Sequence, residues 1–193
     1  MTEPYRPRRP STSRFVHARG LAMHVHEWGA PGDAPGDAPG DAPGDAPGDA
    51  GGAPPLVMVH GWMDVGASFQ FVVDALEDTP LAGRHVLAPD WRGFGLSQPP
   101  RPTDSYWFPD YLGDLDGLLS ALGLAGPVDL VGHSMGGNVV TIYAGVRPAR
   151  VRRVVNLEGW GLPRTEPADA PMRLAEWLDA LATPQDLKDY ASR

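Results

Sequence analysis

The chain has 193 residues, a formal net charge of −8 and no cysteine. The length favours a single domain, the acidic balance argues against a nucleic-acid partner, and the lack of thiols excludes disulfides and cysteine catalysis. We find no secretory signal and no apolar run near the ~18 residues that span a bilayer. The sequence therefore predicts a cytoplasmic protein, and nothing in it indicates a membrane partner, a metal or a cofactor.

The N-terminal region divides into a tail and a hairpin. Residues 1–13 are basic and rich in proline, which predicts a disordered tail rather than a phosphate- or membrane-binding arm. Residues 15–28 alternate around an Arg-Gly pair, which indicates a β-hairpin. His24 and His26 would share one face of its second strand. Because the sequence shows no third ligand, we interpret them as solvent-facing residues rather than as a metal pair.

A low-complexity segment follows the hairpin. Residues 31–50 repeat the unit Pro-Gly-Asp-Ala five times. This composition buries no apolar area, so it predicts a disordered loop inserted into the core. Replication slippage explains it better than a binding role. Without its five aspartates the net charge is −3, an ordinary surface balance.

From residue 56 onward, apolar runs alternate with amphipathic stretches, which predicts an α/β fold with a doubly wound, mostly parallel sheet. The predicted elements are strand 56–60, helix 68–76, strand 85–88, helix 107–122, strand 128–131, helix 135–145 and strand 151–157. In such sheets the functional crevice lies beyond the carboxyl ends of the strands. The residues that fall there are His60, Gly61, Trp62, Asp90, Ser134 and Glu158.

The segment Gly-His-Ser-Met-Gly at 132–136 carries the strongest chemical signal. A strand running into G-x-S-x-G and then a helix predicts a nucleophile elbow, a sharp turn that exposes the hydroxyl of Ser134. The flanking Gly132 and Gly136 are expected because a Cβ at either position would clash. The alternative is a chance Gly-Ser turn, which five matching residues in this context make the weaker interpretation.

The elbow lacks a proton acceptor later in the sequence. A serine hydroxyl needs a base within hydrogen-bond reach, and in the elbow type of triad the histidine follows the serine. All six histidines of this chain precede Ser134. His133 is adjacent, but neighbouring side chains diverge on a tight turn, so we do not expect it to act as the base.

The elbow, the His-Gly pair after the first buried strand and the loop Asp-Trp-Arg-Gly-Phe-Gly-Leu-Ser at 90–97 occur in that order. With them, residues 14–193 resemble the α/β-hydrolase superfamily, especially capped bacterial esterases and C–C bond hydrolases. The resemblance implies an eight-stranded sheet with an antiparallel second strand. Strands one to six would occupy 14–160 and the beginning of a helical cap 161–193, so we expect a C-terminally truncated sequence.

The resemblance also implies roles for single residues. Ser134 would be the nucleophile, and the backbone N–H groups of Trp62 and Met135 would form the oxyanion hole. Asp90 would be structural. Glu158 would be either the triad acid or, in our preferred interpretation, a pocket-lining or loop-capping carboxylate. The remaining pocket residues would be His60, Gly61, His133 and Trp160.

These residues predict a serine hydrolase of small esters or related acyl compounds, inactive as an isolated chain because the triad histidine is missing. A serine argues against dehalogenases and epoxide hydrolases, which need a carboxylate nucleophile. The alternatives are a non-catalytic pseudo-hydrolase that binds a ligand or partner, and a fragment without independent function. The edge of strand 151–157 would be uncovered, which predicts self-association.

Overall fold

The computed structural model describes residues 4–29, 53–97, 106–159 and 166–182. Six strands form one sheet: β1 Thr12–Ala18, β2 Leu21–Trp28, β3 Leu56–Val59, β4 Val86–Pro89, β5 Val128–His133 and β6 Val151–Leu157. The described helices are α1 Gln70–Leu76, α2 Phe108–Ala121, α3 Met135–Val146 and α4 Ala170–Ala182. The chain divides into two compact units, Met1–Trp160 and Gly161–Arg193, and α4 lies in the second. Among the described helices none is long and apolar enough to cross a membrane.

The sheet is mixed, with the strand order β1-β2-β4-β3-β5-β6. Strand β2 runs antiparallel to both β1 and β4, and the other neighbouring pairs are parallel. This confirms the mostly parallel sheet and its antiparallel second strand. The β1–β2 turn contains Arg19 and Gly20 at φ 52° and 76°. Two consecutive positive φ values are typical of a type I′ turn, which matches the twist of the strands it joins.

The core lies on both faces of the sheet, as the continuous apolar run of β3 predicts. Val57 and Val59 belong to one core cluster, which also contains buried side chains of α2 and α3. Leu56 and Met58 belong to a second cluster, together with Val73 of α1. Alternate side chains of a strand point to opposite faces, so one four-residue strand contributes to both clusters and must be apolar throughout.

The N-terminal segment differs from the prediction of a disordered tail at 1–13. From Pro4 onward it is ordered, and β1 already begins at Thr12. The backbone amides of Arg8 and Arg9 donate to the carboxylate of Asp74 at 3.0 and 3.1 Å, and the hydroxyl of Tyr5 also donates to it. The carboxylate of Asp74 on α1 thus binds a basic segment that its composition alone predicts to be disordered. The repeat at 31–50 lies outside the described residues.

The interpretation of His24 as a solvent-facing residue is wrong. His24 is only 3% exposed, and its Nδ1 lies 2.9 Å from Oδ2 of Asp90. His26, on the same face, is half-buried. The reason is that the loop after β4 lies against His24: the Asp90 amide donates to the His24 carbonyl at 2.8 Å, and the Ser97 hydroxyl accepts from the His24 amide at 2.7 Å.

Strand β6 is an edge strand of the described sheet, because it pairs only with β5. Its apolar side chains Val154, Val155 and Leu157 are 37%, 49% and 41% exposed. The predicted uncovered edge is therefore present within the part of the chain that the structure describes. Self-association through it stays a prediction.

Candidate active site

Ser134 lies between the last residue of β5 and the first residue of α3. Its backbone has φ 51° and ψ −117°, and its side chain does not cap the helix. A non-glycine residue at such angles is strained, and strain of this kind concentrates at functional sites. The turn is anchored by the Ser134 amide, which donates to the Leu157 carbonyl at 2.8 Å. The predicted elbow is thus present, with a half-buried serine hydroxyl that is not used to stabilise α3.

The glycines on either side of Ser134 permit close contact between strand and helix. A Cβ on Gly132 would collide with the backbone of Gly136, and one on Gly136 would collide with the carbonyl oxygens of Val59 and His60. Both partners are backbone atoms, so no side-chain rotation could relieve the overlap. The expectation that both positions exclude a side chain is confirmed.

The loop after β3 lies directly against Ser134. A Cβ placed on Gly61 would be 3.1 Å from the Cβ of Ser134 and 3.2 Å from Nδ1 of His133. The His-Gly-Trp segment and the elbow are therefore neighbours at the carboxyl ends of adjacent strands. The sheet order explains it, since β3 and β5 are paired in parallel.

His60 has a different place from the predicted one, because it is 0% exposed and cannot line a substrate pocket. Its Nε2 accepts a hydrogen bond of 2.9 Å from the Trp91 amide. The proton must therefore sit on Nδ1, which donates to the Gly61 carbonyl at 2.7 Å. Burial lowers the pKa of His60, while the bond to Gly61 opposes that shift. The imidazole is a neutral internal brace for the loop.

This brace orients the Gly61–Trp62 peptide. The C=O and N–H groups of a trans peptide point in opposite directions, so the Trp62 amide faces away from the ring of His60. The following residue, Met63, has φ 57°, a second strained position beside the elbow. The indole of Trp62 is 53% exposed and lies edge-on to Phe94 at a centroid distance of 5.2 Å.

Met135 is the first residue of α3. The first amides of a helix have no intrahelical acceptor, and the helix dipole makes this end attractive to negative charge. Met135 directly follows Ser134, and Trp62 follows Gly61, where an added Cβ would lie 3.1 Å from the Cβ of Ser134. The two residues predicted to supply the oxyanion hole therefore lie on the segments next to Ser134.

The structure describes two of the other three predicted pocket residues. Gly61 is buried beside Ser134, and His133 is half-buried with its ring next to Gly61. Trp160 lies outside the described residues. Within the described part of the chain, no histidine forms a hydrogen bond with the Ser134 hydroxyl.

Glu158 follows β6 and has φ 63°, an unusual value for glutamate. Its side chain is exposed. The turn around it is closed by Asn156, whose Oδ1 accepts from the Gly159 amide at 2.7 Å and whose Nδ2 donates to the Gly159 carbonyl at 2.7 Å. Nδ2 also donates to the Gly137 carbonyl at 3.2 Å, which joins the turn to α3.

Sequence reasoning missed Asn156, although asparagine is a typical turn residue, because the apolar pattern assigns it to the strand. It also missed the buried pair between Arg92 and Asp114. The Arg92 guanidinium donates to both carboxylate oxygens of Asp114 at 2.5 and 2.8 Å, and this pair fastens the loop 90–97 to α2. Asp90 itself accepts from the amides of Gly66 and Leu96 at 2.8 and 3.0 Å, in agreement with a structural role.

A serine elbow at the carboxyl edge of a mixed sheet with an antiparallel second strand is the architecture of an α/β hydrolase. The chain belongs to the alpha/beta hydrolase fold family, whose sequence profile matches residues 54–191. It is similar to epoxide hydrolase A of Mycobacterium tuberculosis, at 33% identity over 155 residues, 80% of this chain and 41% of that protein.

Two further similarities agree with this family. The 2-hydroxymuconate semialdehyde hydrolase of Pseudomonas sp. is 37% identical over 167 residues, 83% of this chain and 49% of that protein. The thioesterase domain from the curacin biosynthetic pathway has a TM-score of 0.66 and 27% identity, over 91% of this chain and 53% of that one. The chain thus spans about half of the length of these relatives, or less.

Proposed function

We propose that this chain carries the nucleophile and the oxyanion hole of a serine-type acyl hydrolase. The observation that carries the proposal is the backbone of Ser134, held at φ 51° between β5 and α3 with its side chain free of the helix cap. A strained backbone at Ser134 does not stabilise the fold. In a nucleophile elbow, this conformation presents the serine hydroxyl at the edge of the sheet.

In the proposed reaction, the Ser134 oxygen attacks the carbonyl carbon of a small ester or related acyl substrate. A base takes the hydroxyl proton, and the carbonyl oxygen becomes a tetrahedral oxyanion that accepts hydrogen bonds from the amides of Trp62 and Met135. As this intermediate collapses, the base returns the proton to the leaving alcohol or thiol, and the acyl-serine that remains is hydrolysed by water. Removal of one oxyanion donor typically costs about 3–4 kcal/mol of transition-state stabilisation.

The similar proteins carry names of different hydrolase types, and Ser134 discriminates among them. A hydroxyl nucleophile forms an acyl ester with a carbonyl substrate. An alkyl-enzyme ester, the intermediate of dehalogenases and epoxide hydrolases, requires a carboxylate at this position. We therefore favour acyl chemistry over epoxide opening, although one of the similar proteins is an epoxide hydrolase.

The base is the missing component of this proposal. All six histidines precede Ser134 in the sequence, and among the described ones none bonds to its hydroxyl. Loss of a triad histidine costs on the order of 10⁶ in rate. The 193-residue polypeptide made alone should therefore turn over esters no faster than its Ser134→Ala variant. Glu158 is the residue we propose to test as triad acid or loop cap.

The experiment supplies the base from solution. Hydrolysis of a p-nitrophenyl ester is measured with and without added imidazole for the wild type, Ser134→Ala and the control Ser120→Ala, whose serine lies exposed on α2. We expect imidazole to accelerate the wild type and Ser120→Ala beyond Ser134→Ala. A fluorophosphonate should label the peptide that contains Ser134. Equal acceleration in all three proteins, or a label elsewhere, would contradict the assignment.

A further inference from the structure

Three side chains with metal-binding groups meet away from the elbow. His24 and His26 lie two residues apart on β2, and Asp90 directly follows β4, the strand paired with β2. Each offers one ligand atom, and these atoms all lie within 4.8 Å of one another. Two strands, β4 and β3, separate β2 from β5 in the sheet, so this cluster is distinct from the surroundings of Ser134.

The donor set has a clear chemical preference. Two imidazoles and one carboxylate suit zinc and similar divalent transition metals, and catalytic-type zinc sites often use three protein ligands with water in the fourth position. Zinc–ligand bonds of about 2.0–2.2 Å place neighbouring ligands roughly 3.4 Å apart. The pair of His24 Nδ1 and Asp90 Oδ2, at 2.9 Å, is already close enough.

We propose that His24, His26 and Asp90 bind one divalent transition-metal ion, and zinc is the ion with which we test this. To bring its ring nitrogen within bonding distance of the ion, His26 needs only a small movement. Its ring meets that of His24 edge-on at a centroid distance of 4.6 Å. His26 is half-buried, whereas the other two are buried. It is therefore the side of the cluster from which an ion and a water molecule could enter.

The surroundings hold the carboxylate in place without saturating it. Asp90 Oδ1 accepts from the Gly66 amide at 2.8 Å, and Oδ2 accepts from the Leu96 amide at 3.0 Å. Backbone donors of this kind orient a metal-binding carboxylate. A bound ion would connect the β1–β2 hairpin to the loop 90–97, so metal binding should raise the stability of the fold. The competing explanation is a hydrogen-bonded hub with no affinity for metal.

Calorimetric titration of the full 193-residue chain with zinc ions separates the two explanations. We expect about one ion per chain for the wild type and an affinity at least about 100-fold weaker for His26→Ala, because even outer-shell changes cost 10–100-fold. The control is His17→Ala, which removes an exposed histidine from β1 outside the cluster. Wild-type affinity in His26→Ala, or a loss in His17→Ala of the same size, would overturn the proposal.

A measurement on the unmodified chain avoids any dependence on how the variant folds. Nuclear magnetic resonance of the imidazole nitrogens should show zinc-dependent shifts for His24 and His26, and none for His17 or His133. Zinc should also raise the thermal midpoint of the wild type. Shifts confined to other histidines, or no shifts at zinc concentrations well above that of the protein, would show that the cluster binds no metal. Neither outcome depends on ester hydrolysis, so this test is independent of the proposed function.

Discussion

The Nδ1 atom of His60 lies 2.7 Å from the carbonyl oxygen of Gly61. Because Nε2 of the same ring accepts from the Trp91 amide at 2.9 Å, both nitrogens are satisfied only in the neutral form with the proton on Nδ1. A buried imidazole thus connects the loop beside Ser134 to the loop 90–97. Its role is to orient a peptide rather than to contact a substrate.

The first prediction concerns the stability that this brace contributes. His60→Leu keeps an apolar group in a fully buried site but leaves the Trp91 amide and the Gly61 carbonyl without partners. An unsatisfied buried polar group costs about 1–3 kcal/mol, so we expect the free energy of unfolding to fall by at least about 2 kcal/mol. Urea denaturation measures it. His17→Leu, at an exposed position, should stay within about 0.5 kcal/mol of the wild type.

The second prediction is a loss of stability on mild acidification. Burial lowers the pKa of His60 below its value in the unfolded chain, with the Gly61 bond opposing, and burial also lowers that of His26. Below about pH 6.5 the unfolded chain therefore binds more protons than the folded one, and stability decreases as the pH falls. Urea denaturation between pH 7.5 and 5 should show this slope.

His60→Gln removes one of the two groups responsible, and its slope should be shallower than that of the wild type. For each protein, the free energy of unfolding at pH 7.5 serves as the reference for its own pH series. A general loss of stability in the variant therefore does not change the slope that is compared. Identical slopes in the two proteins would show that protonation of His60 does not oppose folding.

The third prediction tests the steric requirement at the elbow. Gly136→Ala places a methyl group against the carbonyl oxygens of Val59 and His60, and we expect a loss of at least about 2 kcal/mol, within the range for overpacking. Gly145→Ala is the matched control, because it lies in the same helix with no atom near its added Cβ. It should be neutral or stabilise α3 by up to about 1 kcal/mol. Thermal or urea denaturation of both variants provides the comparison.

The fourth prediction concerns the open edge of the sheet. Val155 of β6 is 49% exposed, and an unpaired strand with apolar side chains favours pairing with another chain. We expect the 193-residue chain to form oligomers in sedimentation velocity, and Val155→Lys to shift it toward the monomer. Val72→Lys changes a valine of similar exposure on α1 and should leave the distribution unchanged. A wild type that remains monomeric across the concentration range would contradict the prediction.

Local patterns were sufficient for most of the architecture. The continuous apolar run at 56–59 predicts a strand buried on both faces, since alternate side chains contribute to opposite faces of a sheet. The amphipathic pattern of residues 107–122 predicts α2 within one residue at each end. The G-x-S-x-G segment predicts the elbow because the clash of a Cβ at Gly132 or Gly136 is a property of a few neighbouring residues. These features depend on short-range geometry, which the order of residues contains directly.

Other features depend on which distant residues the sheet brings together. His24 and Asp90 are 66 positions apart and meet because β2 and β4 are neighbours in the sheet, so what appears in the sequence as a lone histidine pair becomes a cluster of three polar side chains. The basic N-terminal segment is ordered because Asp74 of α1 accepts its amides. Whether His60 faces a pocket or the interior is likewise a matter of packing with Trp91.

The amino-acid sequence by itself determined the strand and helix pattern and the elbow that carries Ser134, because each follows from local sterics and periodicity. Only the tertiary structure decided which polar side chains are paired and buried. The physical reason is that a hydrogen bond between distant residues forms only after strand order and loop paths have placed donor and acceptor within about 3 Å of each other.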